Sequence, residues 1–525
     1  MLSHRVRVPS TSSQPEAAGL AFESSGGRWL LATAVAGSGM AFLDGTVVNV
    51  ALPDIGRDLG ASTSSLQWIL NGYLLTLASL ILLGGALGDR YGRRRVFVLG
   101  VWLFTAASLL CAVAPSTELL IFARLIQGIG GALLTPGSLA LIEASFRPGD
   151  RARAIGAWSG LGGVAGALGP LVGGYLIGAI SWRAIFFINL PIGVFVAWAA
   201  TRHVPESRDP MAADGRLDLS GAVLAALGLG GTTYALIEAP EQGASAAILV
   251  TAVGGVLALV AFFVGERRGA NPMLPLEIFR SRQFSAANGV TFVVYAALGG
   301  VFFLLVSFLQ ISLGYTPIEA GSASLPVTFL MLLFSARAGA LAQRIGARLP
   351  LTAGPLIIAA GLLWMTQIEP GDRYLTAILP PILVFGAGLT LVVAPVTATV
   401  LAAADSRHSG IASGVNNAVA RVAGLLAVAV LPIVAGLTGD SFYDPAKMTD
   451  GFQMAMVVCA ILSALGGLLA WFTISATVLH TEAEPGGDTP ERLAEDFSCG
   501  VGAPPLRPGR EAECEVALEP TSSQV

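Results

Sequence analysis

Fourteen blocks of about twenty apolar residues run from Trp29 to about Ile474, and the arginines fall almost wholly into alternate gaps between them. A bilayer core about 30 Å thick needs about 20 helical residues at 1.5 Å each, so every block has the length of one crossing. Backbone groups in hydrocarbon find no water to bond, which makes helices the natural form of such blocks. Charged residues are 12% of the chain against roughly 25% in soluble domains, too few to clothe a soluble protein of this length.

Positively charged loops tend to stay cytoplasmic. Up to Arg407, the N-terminal tail and every second gap hold twenty arginines, whereas the other gaps hold Arg57, Arg183, Arg373 and Lys447. With an even number of spans this bias puts both termini inside; thirteen or fifteen spans would invert it in the later half. The expected layout is an all-α membrane protein with a cytoplasmic tail over 1–28, a six-helix bundle over 29–201, two additional membrane helices over 219–264, and a second six-helix bundle over 285–474. The segment 480–525, rich in Glu, Pro and Gly, reads as a disordered cytoplasmic tail. Cys111 and Cys459 lie in spans and Cys499 and Cys514 in that tail, which argues against a disulfide framework. The polar segment 1–27 precedes a span too long for a signal peptide's apolar region.

The segment Gly85-Ala-Leu-Gly-Asp-Arg-Tyr-Gly-Arg-Arg-Arg after span 2 returns as Gly339-Ala-Leu-Ala-Gln-Arg-Ile-Gly-Ala-Arg after span 10. Gly85, Arg90, Gly92, Arg94 and Gly100 match Gly339, Arg344, Gly346, Arg348 and Gly354, and both copies occupy loops on the same side. Duplication of a six-helix unit explains this spacing. The first copy resembles the signature loop of the major facilitator superfamily. Leu43-Asp-Gly-Thr-Val-Val-Asn-Val-Ala-Leu-Pro, Arg124-Leu-Ile-Gln-Gly-Ile-Gly-Gly-Ala, Gly162-Gly-Val-Ala-Gly-Ala-Leu-Gly-Pro-Leu-Val-Gly-Gly and Trp182-Arg-Ala-Ile-Phe-Phe-Ile-Asn-Leu-Pro-Ile-Gly are similar to stretches of its fourteen-helix drug:proton antiporter branch, the EmrB/QacA type. The resemblance implies a major facilitator fold of two six-helix bundles plus two extra central helices.

Asp44 is the residue most in need of explanation, because a carboxylate inside a span is costly and is kept for function or paired. Nine residues before Pro53, it lies about 13 Å below that end by helical rise, and Arg124 lies about 9 Å below the same face. Asp44 is therefore expected to take a proton from outside while Arg124 holds a polar network beside it. A structural salt bridge without coupling is the alternative. The resemblance implies the coupling roles.

Gly162, Gly166, Gly169, Gly173 and Gly174, with Pro170, would let span 5 approach a neighbour closely. Packing alone explains them; the resemblance implies an antiporter hinge and seal. Gly88, Asp89, Arg90, Gly92, Arg93 and Arg94 form a charged inner rim, either a solvated loop or, by resemblance, a gate between the halves. The second copy has Gln343 in place of Asp89. Arg337 sits near enough to the inner interface to snorkel. Cargo is expected among Asn49, Gln67, Asn71, Tyr73, Gln127, Asn288, Tyr295, Gln310, Asn416, Asn417 and Arg421, polar groups on otherwise apolar spans near the midplane.

No phosphate-cradling Gly-Lys-Ser/Thr loop occurs, and the chain's only lysine is Lys447, so ATP is not expected to drive it. Neither a metal-ligand spacing nor a Gly-x-Ser-x-Gly or Cys/His constellation suggests a metal site or an enzyme. No nucleic-acid partner and no cofactor are expected; the proton gradient would supply the energy. The leading expectation is a proton-coupled exporter of drugs, antibiotics or other lipophilic or amphipathic molecules in a bacterial plasma membrane. A membrane sensor or scaffold on the same fold and a small-metabolite symporter are the alternatives.

Overall fold

The computed structural model describes residues 19–209, 217–243, 245–269, 272–404 and 409–479, and the tail expectations for 1–18 and 480–525 fall outside them. Among the described residues fourteen helices are long and apolar enough to cross a membrane. The first six are α1 (Ser25–Leu59), α2 (Thr63–Tyr91), α3 (Arg93–Ala112), α4 (Thr117–Ser145), α5 (Pro148–Ala179) and α6 (Ala184–His203). Two more follow, α7 (Leu219–Gln242) and α8 (Ala246–Arg268). The last six are α9 (Arg282–Ile311), α10 (Pro317–Ile345), α11 (Arg348–Met365), α12 (Tyr374–Ala402), α13 (Gly410–Val434) and α14 (Pro445–Thr473).

Helix ends differ from the expected ones by several residues. One such difference is in α1, which continues through Pro53 to Leu59. Pro53 costs one backbone donor opposite Asn49 but does not end the helix, so Asp44 lies further from the helix terminus than a reading from Pro53 gives. Two spans are interrupted: α6 turns at Ile188 and α10 at Ser324. A proline follows each break closely, Pro191 and Pro326, and removes the donor that would bridge it.

Packing repeats between the two sets of six. The pairs α2–α4, α3–α4, α1–α5, α3–α6 and α1–α6 have counterparts in α10–α12, α11–α12, α9–α13, α11–α14 and α9–α14. The sets meet along two seams, α2 against α13 and α5 against α10, with α1 touching α9 between them. Antiparallel α7 and α8 pack through small residues, where a Cβ on Gly228 would stand 2.7 Å from Leu259 and one on Gly255 2.6 Å from the Thr232 nitrogen. α7 leans on α2 and α13, and α8 lies outermost, burying only Ile248, Gly255, Phe262 and Glu266.

The duplicated loop folds alike in both places. Gly92 and Gly346 follow α2 and α10 with φ of 114° and 86°, values that side-chain-bearing residues rarely adopt. Arg94 Nη1 then donates to the Val204 carbonyl at 3.0 Å, and Arg348 Nε donates to the Ile474 carbonyl at 2.7 Å. Each arginine thus ties the start of a third helix to the end of the sixth in its own set.

Candidate functional site: a buried carboxylate network in the first bundle

Four helices converge on Asp44, which is fully buried at mid-α1. Arg124 on α4, 1% exposed, donates from Nη1 to Asp44 Oδ2 and forms an ion pair with it. The same Nη1 donates to Gln127 Oε1 at 2.7 Å, and Arg124 Nε donates to the Ile69 carbonyl of α2 at 3.0 Å. Gln127 Nε2 returns to Asp44 Oδ1 at 2.8 Å, closing a ring of three side chains. Residues three apart share a helix face, which is how Arg124 and Gln127 reach one carboxylate.

Asn189 enters from the break in α6. Its Nδ2 lies 3.3 Å from Asp44 Oδ1 and 3.0 Å from Ser108 Oγ, and Ser108 donates to the Phe186 carbonyl at 2.9 Å. Aromatic faces close the cluster: the Arg124 guanidinium lies 4.4 Å over the Tyr73 ring and 5.9 Å from the Phe186 ring. The carboxylate and guanidinium are each paired and hydrogen-bonded, the condition under which buried charge is tolerated.

Beside the network, α5 lays its glycines on α1. A Cβ would stand 3.0 Å from the Phe42 ring at Gly162, 3.4 Å from Phe42 Cβ at Gly166, 2.1 Å from Thr46 Oγ1 at Gly169, and 2.3 Å from Val47 Cγ2 at Gly173. Thr46 Oγ1 donates to the Gly166 carbonyl at 2.8 Å. The other face of α5 meets the second bundle, with a Cβ at Gly174 falling 2.4 Å from the Pro317 carbonyl and one at Gly321 2.1 Å from the Pro170 carbonyl. One helix therefore joins Asp44's helix to the opposite half.

Gln67 Nε2 donates to the Val428 carbonyl at 2.7 Å, Gln310 Nε2 to the Val50 carbonyl at 2.9 Å, Thr63 Oγ1 to the Gly439 carbonyl at 2.7 Å, and the Tyr443 hydroxyl to the Ala61 carbonyl at 2.6 Å. All four bonds cross between the bundles at the end that carries Asp58. Gln67 and Gln310, expected to face cargo, thus join the halves, and Gln127 belongs to the carboxylate network.

The remaining polar candidates spread along the interior. Asn288, Thr291 and Asn416 cluster in the second bundle, with Asn416 Nδ2 donating to Asn288 Oδ1 at 3.2 Å and to Thr291 Oγ1 at 2.9 Å. Asn49 and Asn417 each reach a carbonyl of their own helix, Gly45 and Ser413. Asn71 is fully buried with neither amide atom hydrogen-bonded. Arg421 of the second bundle lies within electrostatic reach of Tyr295 in its own bundle and of Tyr73 in the other. Arg337 is exposed beside Phe334.

At the opposite end, Asp89 pairs with Arg93 at 2.8 Å, and the Arg90 guanidinium sits 5.5 Å from the Tyr91 ring. Gly88 accepts the Gly92 N–H. Arg94 and Arg95 pair with Glu206, whose carboxylate also accepts the Arg94 backbone N–H at 3.0 Å. Glu206 and Asn189 were missed as site residues. Asn189 stands in the span 6 stretch that carries the resemblance, the one signal that pointed to it; Glu206 looks like any solvated loop acid.

Two pseudo-symmetric six-helix bundles, joined along paired seams beside a buried ion pair, define a membrane transporter. The chain belongs to the Major Facilitator Superfamily, whose family model matches residues 34–428. It is 37% identical over 404 residues to the multidrug resistance protein Stp of Mycobacterium tuberculosis, covering 77% of this chain and 74% of that one. It is 37% identical to the methylenomycin A resistance protein of Bacillus subtilis, covering 86% and 96%, and 36% identical to a probable actinorhodin transporter of Streptomyces coelicolor, covering 83% and 77%. Among solved structures, an inward-facing bacterial homologue of the human lysosomal transporter Spinster matches with a TM-score of 0.63 at 18% identity, over 88% of this chain and all of that one. A D-xylose–proton symporter matches with a TM-score of 0.61 at 16% identity, over 86% and 98%. These structures share the fold.

Proposed function

We propose that the chain is a proton-coupled antiporter that exports drugs, antibiotics or other lipophilic and amphipathic molecules across a bacterial plasma membrane. The observation that carries this reading is Asp44, fully buried and answered by a single guanidinium. Protonating Asp44 leaves Arg124 a buried charge without its partner, a change on the order of 3–5 kcal/mol. A term of that size cannot be indifferent to helix arrangement, so proton occupancy and the packing of α1, α2, α4 and α6 bias each other. The halves rock along the α2–α13 and α5–α10 seams, the glycine face of α5 serves as hinge and seal, and the rim from Gly88 to Arg94 acts as the gate.

The arginine distribution supports cytoplasmic termini and makes the Asp58 end the outer one, so the bonds at that end describe a state closed to the outside. Export is favoured by the relatives' names, all of them resistance or transport proteins. The test is accumulation of methylenomycin A or actinorhodin in energised inverted vesicles, with luminal pH read simultaneously. Antiport predicts uptake with a rise in luminal pH, both lost in Asp44→Asn. Uptake that lowers luminal pH would mean symport, and cargo binding without proton movement a sensor.

A further inference from the structure

Among the described residues, Arg421 is a cation at mid-membrane that no acidic side chain answers. It lies near the centre of α13, about 16 Å from its first residue by helical rise. Among the described residues it has no hydrogen bond or ion pair, although its neighbours Asn416 and Asn417 have theirs. Guanidinium does not lose its proton in proteins, so the charge is permanent. Within a bilayer such residues face the bundle interior and take a partner.

Packing fixes where Arg421 points. α13 runs antiparallel to α2, with Gln67 bonded to Val428 near one end and Leu82 meeting Gly414 towards the other. That register sets Arg421 level with Leu74 and Leu75, next to Tyr73 in the chain. On the second-bundle side a Cβ at Gly299 would stand 2.9 Å from Gly424, which brings Tyr295, one turn earlier, beside Arg421. The guanidinium accordingly lies within electrostatic reach of both the Tyr73 and Tyr295 hydroxyls, one from each bundle. Asn417, one turn away on the same face, is exposed. Asp44 is already engaged by Arg124, Gln127 and Asn189, so it does not supply the missing counter-charge.

We propose that Arg421 is the counter-charge for cargo, and that the exported molecules carry an ionised acidic group, a carboxylate or an acidic phenolate, received between Tyr73 and Tyr295. The proposal rests on the export reading above and narrows its substrate class. Arginine suits the task because its planar fork matches a carboxylate with two parallel N–H donors.

The full-length protein is tested in two ways. In cargo-free thermal unfolding, Arg421→Gln is expected to unfold at or above the wild-type temperature, because it removes an unanswered charge. Unfolding below wild type would mean the guanidinium holds helices together, and the anion site falls. In energised inverted vesicles, anthracene-9-carboxylate, its neutral carboxamide and 9-aminomethylanthracene serve as probes of one skeleton and three charges. Wild type is expected to take up the carboxylate at least tenfold faster than the amine. Arg421→Gln should lose that preference, and Arg421→Lys should keep part of it. Preference for the amine, carboxylate uptake unchanged in Arg421→Gln, or failure of the carboxylate both to enter vesicles and to protect wild type against heat, each overturns the anion site. Carboxylate preference that survives collapse of the pH gradient would leave the anion site standing and sink the antiport reading instead.

Discussion

Gln127 binds both members of the buried ion pair at once, giving a hydrogen bond to Asp44 at 2.8 Å and receiving one from Arg124 at 2.7 Å. Its amide fixes the orientation of the two charges relative to each other. Gln127→Leu removes a donor from a carboxylate and an acceptor from a guanidinium in a space closed to water. Hydrogen bonds to charged groups are worth about 1.5–3 kcal/mol each, so unfolding in detergent should show a loss of at least that size. Gln127→Glu is expected to do worse, because it sets a second carboxylate against Asp44. Wild-type stability in Gln127→Leu would show that the ring of three side chains adds nothing beyond the ion pair.

Removing Arg124 strands Asp44, and removing both charges should cost less than removing one. Arg124→Leu alone is expected to lose about 3–5 kcal/mol, whereas Asp44→Asn with Arg124→Leu should recover part of that loss while transporting nothing. A double-mutant cycle by thermal unfolding, beside vesicle transport, separates the structural share of the pair from its coupling share. Additive losses would mean that the two residues do not depend on each other.

α5 faces two ways, so its glycines should fail differently. Gly173→Leu drives a side chain into Val47 and pushes α1 away, whereas Gly174→Leu drives one into the Pro317 backbone and opens the α5–α10 seam. The first is expected to disturb proton movement even without cargo, and the second to make vesicles leak protons or hold transport in one state. Luminal pH traces with and without cargo distinguish the two. Gly178, which has nothing within 4 Å, is the control: leucine there should leave transport unchanged.

What could be read from the sequence was whatever contrasts with its surroundings. Asp44 and Arg124 stand out because charge is rare in an apolar span, and helical rise alone placed them at similar depth. The loop repeat was legible because Gly92, Arg94, Gly346 and Arg348 keep one spacing, and the structure gives each arginine the same carbonyl-binding task. Partnership across the bundle was not legible. Gln67, Gln127 and Gln310 look alike as lone amides in apolar helices, yet two bond the opposite half and one bonds Asp44, a difference fixed by packing far away in sequence. The breaks at Ile188 and Ser324 went unread because proline is common within membrane helices, and only the fold tells which prolines interrupt one.

The two additional helices are locked at one end by a pair of acids, which ties their stability to pH. Asp218 caps α7, its Oδ1 accepting the Gly221 N–H at 2.8 Å and the Ser220 hydroxyl at 2.7 Å. Burial opposes the charge on Asp218, but these two donors, with the Glu266 carboxyl and the Met273 N–H, hold its carboxyl below the ordinary range. Glu266, 3% exposed near the end of α8, accepts the Leu274 N–H at 2.8 Å through Oε2. Its other oxygen has no donor and converges with Asp218 Oδ2 on Gly221, where a Cβ would stand 2.8 Å from the first and 2.4 Å from the second. Arg267 and Arg268 are exposed, and neither acid has an ion pair among the described residues. Two facing carboxylates repel unless they share a proton. With Asp218 favouring its charged form, that proton belongs to Glu266. The lock should therefore weaken as pH rises and the shared proton leaves. It should weaken again in strong acid, where Asp218 itself is protonated and the share of stability its lowered pKa contributes is lost. Glu266→Gln puts an amide donor where the proton was, so its thermal unfolding temperature should hold at alkaline pH while that of wild type falls. Parallel pH profiles for the two proteins would refute the shared proton.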